Sequence, residues 1–181
     1  MKTVTSILIL SALLAIAQRF VNPEMPKPIK VIAPTEQTLR EEMRREQLER
    51  EYKRAAATAK AIYRRSGCRS TFAVETGRAA VDYGISPRVL AALVFVESSC
   101  NPNAVSGRAS VGLCQVNPLV WHYTQAELKN PNRNLRIGAS ILASYVHRFG
   151  LKEGLHHFNG MGNPTDEYSS KVLIAAGIQV S

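Results

Sequence analysis

One stretch limits what this chain can become: the apolar run Leu90-Ala91-Ala92-Leu93-Val94-Phe95-Val96, which ends on a carboxylate, Glu97. A helix suits this run better than a strand. Ser86 supplies an N-cap, and Pro87 takes the first helical position, where a missing N–H costs nothing. Asn101-Pro102 ends the run, because the residue before a proline is pushed out of helical angles. The helix is then about 13 residues, or roughly 20 Å at the helical rise. Apolar nearly all round, it belongs in a core. Glu97 falls in its last turn, one turn beyond Leu93 and Val94. The negative end of the helix dipole and the loss of water both favour the neutral acid, so a raised pKa is expected. A glutamate that simply leaves the helix end for solvent is the ordinary alternative.

The residues around and after Glu97 form ordered blocks. Glu97-Ser98-Ser99 leads into Asn101-Pro102-Asn103-Ala104-Val105-Ser106 and then Gly112-Leu113-Cys114-Gln115-Val116. Downstream lie Asn134-Leu135-Arg136-Ile137-Gly138, Leu142 and Arg148-Phe149-Gly150, then Phe158-Asn159-Gly160, Tyr168 and Lys171-Val172-Leu173. In this order, over roughly residues 72–176, the blocks resemble the lytic transglycosylase family, related to goose-type lysozymes. The resemblance implies a mainly α fold of the α+β class, with a lysozyme-like transglycosylase domain and no cofactor. It implies non-hydrolytic cleavage of the MurNAc-GlcNAc β-1,4 bond, the sugar's own 6-hydroxyl attacking to leave 1,6-anhydromuramoyl ends. Glu97 then serves as acid first and base afterwards, which microscopic reversibility allows.

By the same resemblance Ser106 and Gln115 bind substrate or sit near the acid, with Ser98, Asn159, Phe158 and Tyr168 as further site residues. A hydroxyl can orient a carboxyl, and an amide can both donate to and accept from an N-acetyl group. Ser106 as a turn former, Gln115 as an exposed strand residue and Ser98 bonded to its own backbone are the bland readings. The sequence departs from the family pattern in three places. Phe158 stands where a tyrosine is usual and cannot supply its hydroxyl; Tyr168, His157 or a water could compensate. Cys114 replaces the usual Met and can act as a small hydrophobe. Ala109-Ser110 replaces Gly-Ala, which raises the question of an altered loop, since glycine tolerates positive φ.

Other chemistries find little support. The remaining acids of the domain (Glu75, Asp82, Glu127, Glu153, Asp166, Glu167) lie in amphipathic or loop settings that solvation explains. A muramidase (hydrolase) needs a second carboxylate opposite Glu97. A catalytically weak glycan-binding or scaffold module, for which Phe158 argues, is the rival from another class. His122, His147, His156 and His157 lack metal-ligand spacing. Cys68, Cys100 and Cys114 allow at most one internal disulfide; burial without pairing is the other reading, and the sequence does not choose. Trp121, Tyr123 and Phe158 could stack on sugar faces or simply pack. The net charge of +9 points to an acidic partner or surface. No zinc-finger, RNA-binding or P-loop pattern supports nucleic acid.

The chain reads as four segments. Residues 1–17 read as a signal peptide or anchor, with an apolar stretch too short for an ordinary span and an Ala15-Ile16-Ala17 ending. Residues 18–34 read as a proline-rich spacer. Residues 35–66 read as a charged helix with a thin stripe (Leu39, Met43, Leu48, Tyr52, Ala55, Ala59, Ile62), either leaning on the domain or docking on an envelope or phage assembly. Residues 68–181 hold the domain, with Ser70 or Thr71, Asn134 and Thr165 as helix caps and a possible strand over Val111 to Val116. The expected location is exported, in the periplasm or cell envelope, with membrane contact only if the first segment stays uncleaved. The expected partners are peptidoglycan glycan strands.

Overall fold

The computed structural model describes residues 35–160 and 166–179. The leader, the spacer and the Thr165 cap lie outside these. The chain divides into two compact units after Leu39, and the helical domain belongs to the second, Arg40–Ser181.

The described elements are helices: α1 (Glu36–Arg65), a 3-10 turn (Ser70–Phe72), α2 (Ala73–Asp82), α3 (Pro87–Ser98), α4 (Pro118–Trp121), α5 (Gln125–Lys129), α6 (Pro131–Phe149), α7 (Leu151–Asn159) and α8 (Glu167–Ala176). The expected strand is only a pair of isolated antiparallel bridges, Val105 with Val111 and Val111 with Val116. Helix α3 is the centre. Val89 through Val94 are all buried, so no side of its middle turns faces water, and α2 and α8 pack against it. Helices α6 and α7 form a second packed pair, joined to the first through α2·α6 and α7·α8 contacts.

Helix α1 splits along its length. Met43 and Leu48 stay exposed, whereas Ala55, Ala59, Ile62 and Tyr63 are buried. The predicted stripe is thus a core face only from Ala55 onward. Tyr63, outside that stripe, is its largest buried member and places its hydroxyl 2.7 Å from that of Thr76. Close approach makes this possible: a Cβ on Gly77 would lie 2.4 Å from the Ala56 nitrogen. The helix stops where Gly67 turns left-handed (φ 73). The Cys68 N–H then returns to the Tyr63 carbonyl at 2.8 Å, in the manner of a Schellman end. That turn delivers Cys68 to Cys100, with which it forms a disulfide. Cys114 remains a buried free thiol.

Several helix ends differ from expectation. Ser86 holds the cap position of α3 in extended backbone but makes no side-chain cap bond. The helix stops at Ser98, before Asn101-Pro102, because Ser99 (φ 50) and Cys100 (φ 63) both turn left-handed. Neither Ser70 nor Thr71 caps α2; the 3-10 turn leads into it instead. Asn130, not Asn134, caps α6, accepting the Arg133 N–H at 3.0 Å.

Asn134 has a different task. Fully buried, its amide oxygen accepts the Cys114 N–H at 2.7 Å, and its amide nitrogen donates to Val111 (2.8 Å) and Leu128 (3.0 Å). One side chain therefore ties the loop that precedes α4 to α6. Gly112 (φ 80) leaves room for it, since a Cβ there would meet the amide nitrogen at 2.4 Å. Removing this amide strands buried backbone groups, each costing about 1–3 kcal/mol. Asn134→Ala is expected to lower the unfolding free energy by about 3 kcal/mol, read from urea midpoints. A loss below about 1 kcal/mol would contradict this role.

Candidate active site

The end of α3, the loop around residues 106–117, α4, α6 and the end of α7 enclose a cavity of about 600 Å³. Among the described residues that line it, Glu97 is the one carboxylate. The apolar helix behind Glu97 dictates its state. Loss of water pushes its pKa up to about 7, and a hydrogen bond from Tyr168 opposes part of that rise. Tyr168 comes from α8, is buried, and donates its phenolic O–H to Glu97 Oε1. Burial and the nearby Glu97 hold the phenol's own pKa well above the ordinary value, so it remains a donor whichever form Glu97 takes.

This contact bears on Phe158. That residue lines the cavity, as do Asn159 and Gln115, but has no hydroxyl to offer. The phenol that reaches the acid comes instead from the next helix. Tyr168 itself does not line the cavity, so it touches the acid rather than a ligand.

Gln115 is left-handed (φ 47), and its amide nitrogen donates to Ala104 (3.2 Å) and Gly112 (3.0 Å). Its carbonyl oxygen has no protein partner among the described residues. Ser106 also lines the cavity, while its hydroxyl accepts the Ser110 N–H at 3.1 Å. It shapes the turn and is not bonded to Glu97. Ser98 stays out of the cavity: its hydroxyl lies 2.9 Å from both the Val94 and Leu113 carbonyls, where it locks the helix end to the loop. Ala109 keeps the left-handed backbone (φ 62) that a glycine would adopt freely, at a cost of about 1–2 kcal/mol.

Trp121 reaches the cavity wall, edge-on to Tyr145 with ring centres 6.3 Å apart, and Tyr145 stacks on His157 at 5.7 Å. Tyr123 does not line it. Tyr145 and Asn117 are walls that the sequence alone did not single out. Tyr145 was legible as the i+4 neighbour of Ile141 on one face of α6. Asn117 precedes a proline and caps α4, its side chain accepting the Leu119 N–H at 2.9 Å.

The other acids are engaged elsewhere. Arg136 holds Glu75 (3.4 Å) and Asp82 (2.8 Å), Arg133 holds Glu127 (2.6 Å), and lysines hold Asp166 and Glu167. Glu153 lies 3.6 Å from His157 Nε2. Burial also raises the Cys114 thiol's pKa, which leaves it inert as a nucleophile at neutral pH. Among the described residues, no three His, Cys, Asp or Glu groups are placed to hold a metal ion.

A mainly helical domain thus places at the wall of a cavity one largely desolvated acid whose pKa burial raises to about 7. Residues 76–165 match the family described as Transglycosylase SLT domain, and the chain belongs to the lytic transglycosylase family. It is similar to proteins named endo-type membrane-bound lytic murein transglycosylase A. In Cronobacter sakazakii the identity is 36% over 92 residues, covering 44% of this chain and 44% of the relative. In an Enterobacter species it is 35% over 85 residues, covering 40% and 41%. The match thus spans less than half the length of these relatives.

Glu97 makes the fold pH-sensitive in a defined direction. Its pKa is higher folded (about 7) than in the unaltered carboxyl (4.5), so between these values the folded state binds more protons. Stability is greatest below the lower value and falls as pH rises through about 7. The full penalty is on the order of 3 kcal/mol. Glu97→Gln is therefore expected to gain about 2–3 kcal/mol over the unmutated chain at pH 8 and little at pH 4, measured by urea unfolding. Equal stabilities at both pH values would contradict the burial of this carboxyl.

Proposed function

We propose that this domain cleaves the MurNAc-GlcNAc β-1,4 bond of peptidoglycan without water, with Glu97 as acid and then base. The observation that carries the reading is the lone carboxylate: among the described residues, no second one lines the cavity with Glu97. Glu97, half protonated near pH 7, gives its proton to the bridging oxygen as the bond to the sugar's anomeric carbon breaks. The resulting oxocarbenium-like centre is closed by the same sugar's 6-hydroxyl, whose proton returns to the Glu97 carboxylate. The product is a 1,6-anhydro ring, and the enzyme ends the cycle as it began.

Tyr168 supports both halves of this cycle. Its O–H reaches Glu97 Oε1 and stabilises the anion formed after proton transfer, without supplying the proton. A hydrolase would require a base to activate water across the sugar. A binding-only module is disfavoured because the phenol missing at Phe158 is supplied from α8. The names of the relatives, which call those proteins membrane-bound and lytic for murein, support a cell-envelope location and a peptidoglycan substrate for this chain. The exposed part of α1, with Met43 and Leu48 in solvent, is available to dock on an envelope or phage assembly.

Mass analysis of digested peptidoglycan tests the reaction. Anhydro-ended muropeptides are expected, and reducing ends would replace this reading with hydrolysis. Glu97→Gln should lower kcat by about 10²–10⁴-fold; full activity in that variant would refute the assignment. Tyr168→Phe removes the interaction that lowers the Glu97 pKa. The loss of activity at high pH should then move to higher pH, with kcat reduced about tenfold.

A further inference from the structure

We propose that Arg108 binds a carboxylate of the peptide carried on the muramoyl sugar, so that the domain prefers peptide-bearing glycan to bare glycan. The inference rests on the transglycosylase reading and names a substrate feature that Glu97 cannot select. Arg108 lines the same cavity as Glu97. The turn that carries it is closely held. Ala109 N–H donates to the Ser106 carbonyl and Ser106 N–H to the Ser110 carbonyl, both at 2.9 Å. Ser110 N–H donates to the Ser106 hydroxyl at 3.1 Å, and the Asn117 amide donates to the Arg108 carbonyl at 3.0 Å. At the same turn Ala109 sustains a left-handed backbone (φ 62), strain of the kind that persists where surroundings over-determine a position.

The guanidinium at this turn has no protein partner among the described residues. Among the described residues Arg108 makes neither an ion pair nor a side-chain hydrogen bond, whereas Arg133 and Arg136 are both engaged with acids. Arg108 also does not contribute to the pKa shift of Glu97, which burial and Tyr168 account for. Tuning the acid is therefore not its task. A planar five-donor fork on a residue that lines a cavity, where Glu97 is the one acid among the described residues, is suited to a carboxylate brought by the ligand. In peptidoglycan the glycan backbone itself is uncharged, and the carboxylates lie on the peptide attached to the muramoyl lactyl group. A contact to the peptide, away from the atoms that react, binds ground and transition states alike, so it appears in KM rather than kcat.

The test compares intact peptidoglycan strands with the same strands after an amidase has removed the peptides and each lactyl carboxyl so freed has been capped as its methylamide, which leaves the bare strand without a carboxylate. The readout is the ratio of kcat/KM for peptide-bearing over bare strands. Arg108→Gln is expected to lower that ratio about tenfold, through KM on the peptide-bearing strands, and Arg108→Lys to restore part of it. Raising the salt concentration should narrow the ratio in the unmutated chain. An unchanged ratio in Arg108→Gln, or a fall in kcat alone, would overturn the proposal for Arg108. Failure of the unmutated chain to cleave either substrate would instead overturn the transglycosylase reading beneath it.

Discussion

Everything at this site depends on one carboxyl placed where water is scarce. Glu97 ends a helix with no polar side, and its environment shifts its pKa from 4.5 to about 7. At 1.36 kcal/mol per unit, holding the ionised group there costs the fold on the order of 3 kcal/mol. That is a substantial share of a typical domain's net stability of about 5–15 kcal/mol. The Tyr168 phenol offsets part of the cost without removing it, since its hydrogen bond acts against the larger effect of desolvation. An acid stabilised further would lose its proton too early; one with no partner would hold it too firmly. Desolvation of the carboxyl, opposed by the Tyr168 hydrogen bond, sets the balance.

The surrounding fold holds the elements around that carboxyl in register. On one side the disulfide joins Cys68, at the end of α1, to Cys100, two residues beyond the end of α3. On the other side Asn134 binds the loop from inside α6, and Ser98 binds it from the end of α3. These are short, local ties, but each crosses between elements distant in sequence. Cys114 completes the seam by packing on Gly138, where a Cβ would lie 2.4 Å from its own. The geometry around Glu97 is thus set by at least three independent constraints, which is how an exposed-looking loop can present fixed groups to a ligand.

Much of this was legible in the sequence, and the reason is periodicity and chemistry. The unbroken apolar run from Leu90 to Val96 pointed to a buried helix, and the position of Glu97 in its last turn pointed to a raised pKa, with a solvated helix end as the ordinary alternative. The ordered motifs carried the family. Tertiary pairing was less visible. Three cysteines cannot reveal that Cys68 and Cys100 meet, because the meeting depends on where α1 docks. Asn134 reads as a cap, since asparagine before an apolar run usually is one; Asn130-Pro131 competed successfully, and burial gave Asn134 other partners. Ser106 and Ser98 were both expected near substrate; Ser106 lines the cavity while its hydroxyl accepts the Ser110 N–H, and Ser98 lies outside it, with its hydroxyl on the Val94 and Leu113 carbonyls. Tyr168 was visible as a site residue by resemblance and as one of several possible substitutes for the hydroxyl absent at Phe158, but not as the partner of Glu97. Choosing it required knowing that α8 packs on α3.

The protonation state of Glu97 is the point on which the account turns, and it can be observed directly. A carboxyl-carbon NMR titration of the folded protein, with the Glu97 resonance assigned by its loss in Glu97→Gln, reports the midpoint for this one group. A midpoint near 7 is expected, as burial dictates. A midpoint at the ordinary glutamate value of about 4.5 would mean that the carboxyl is hydrated and already ionised at neutral pH, and the proposed acid would have no proton to give.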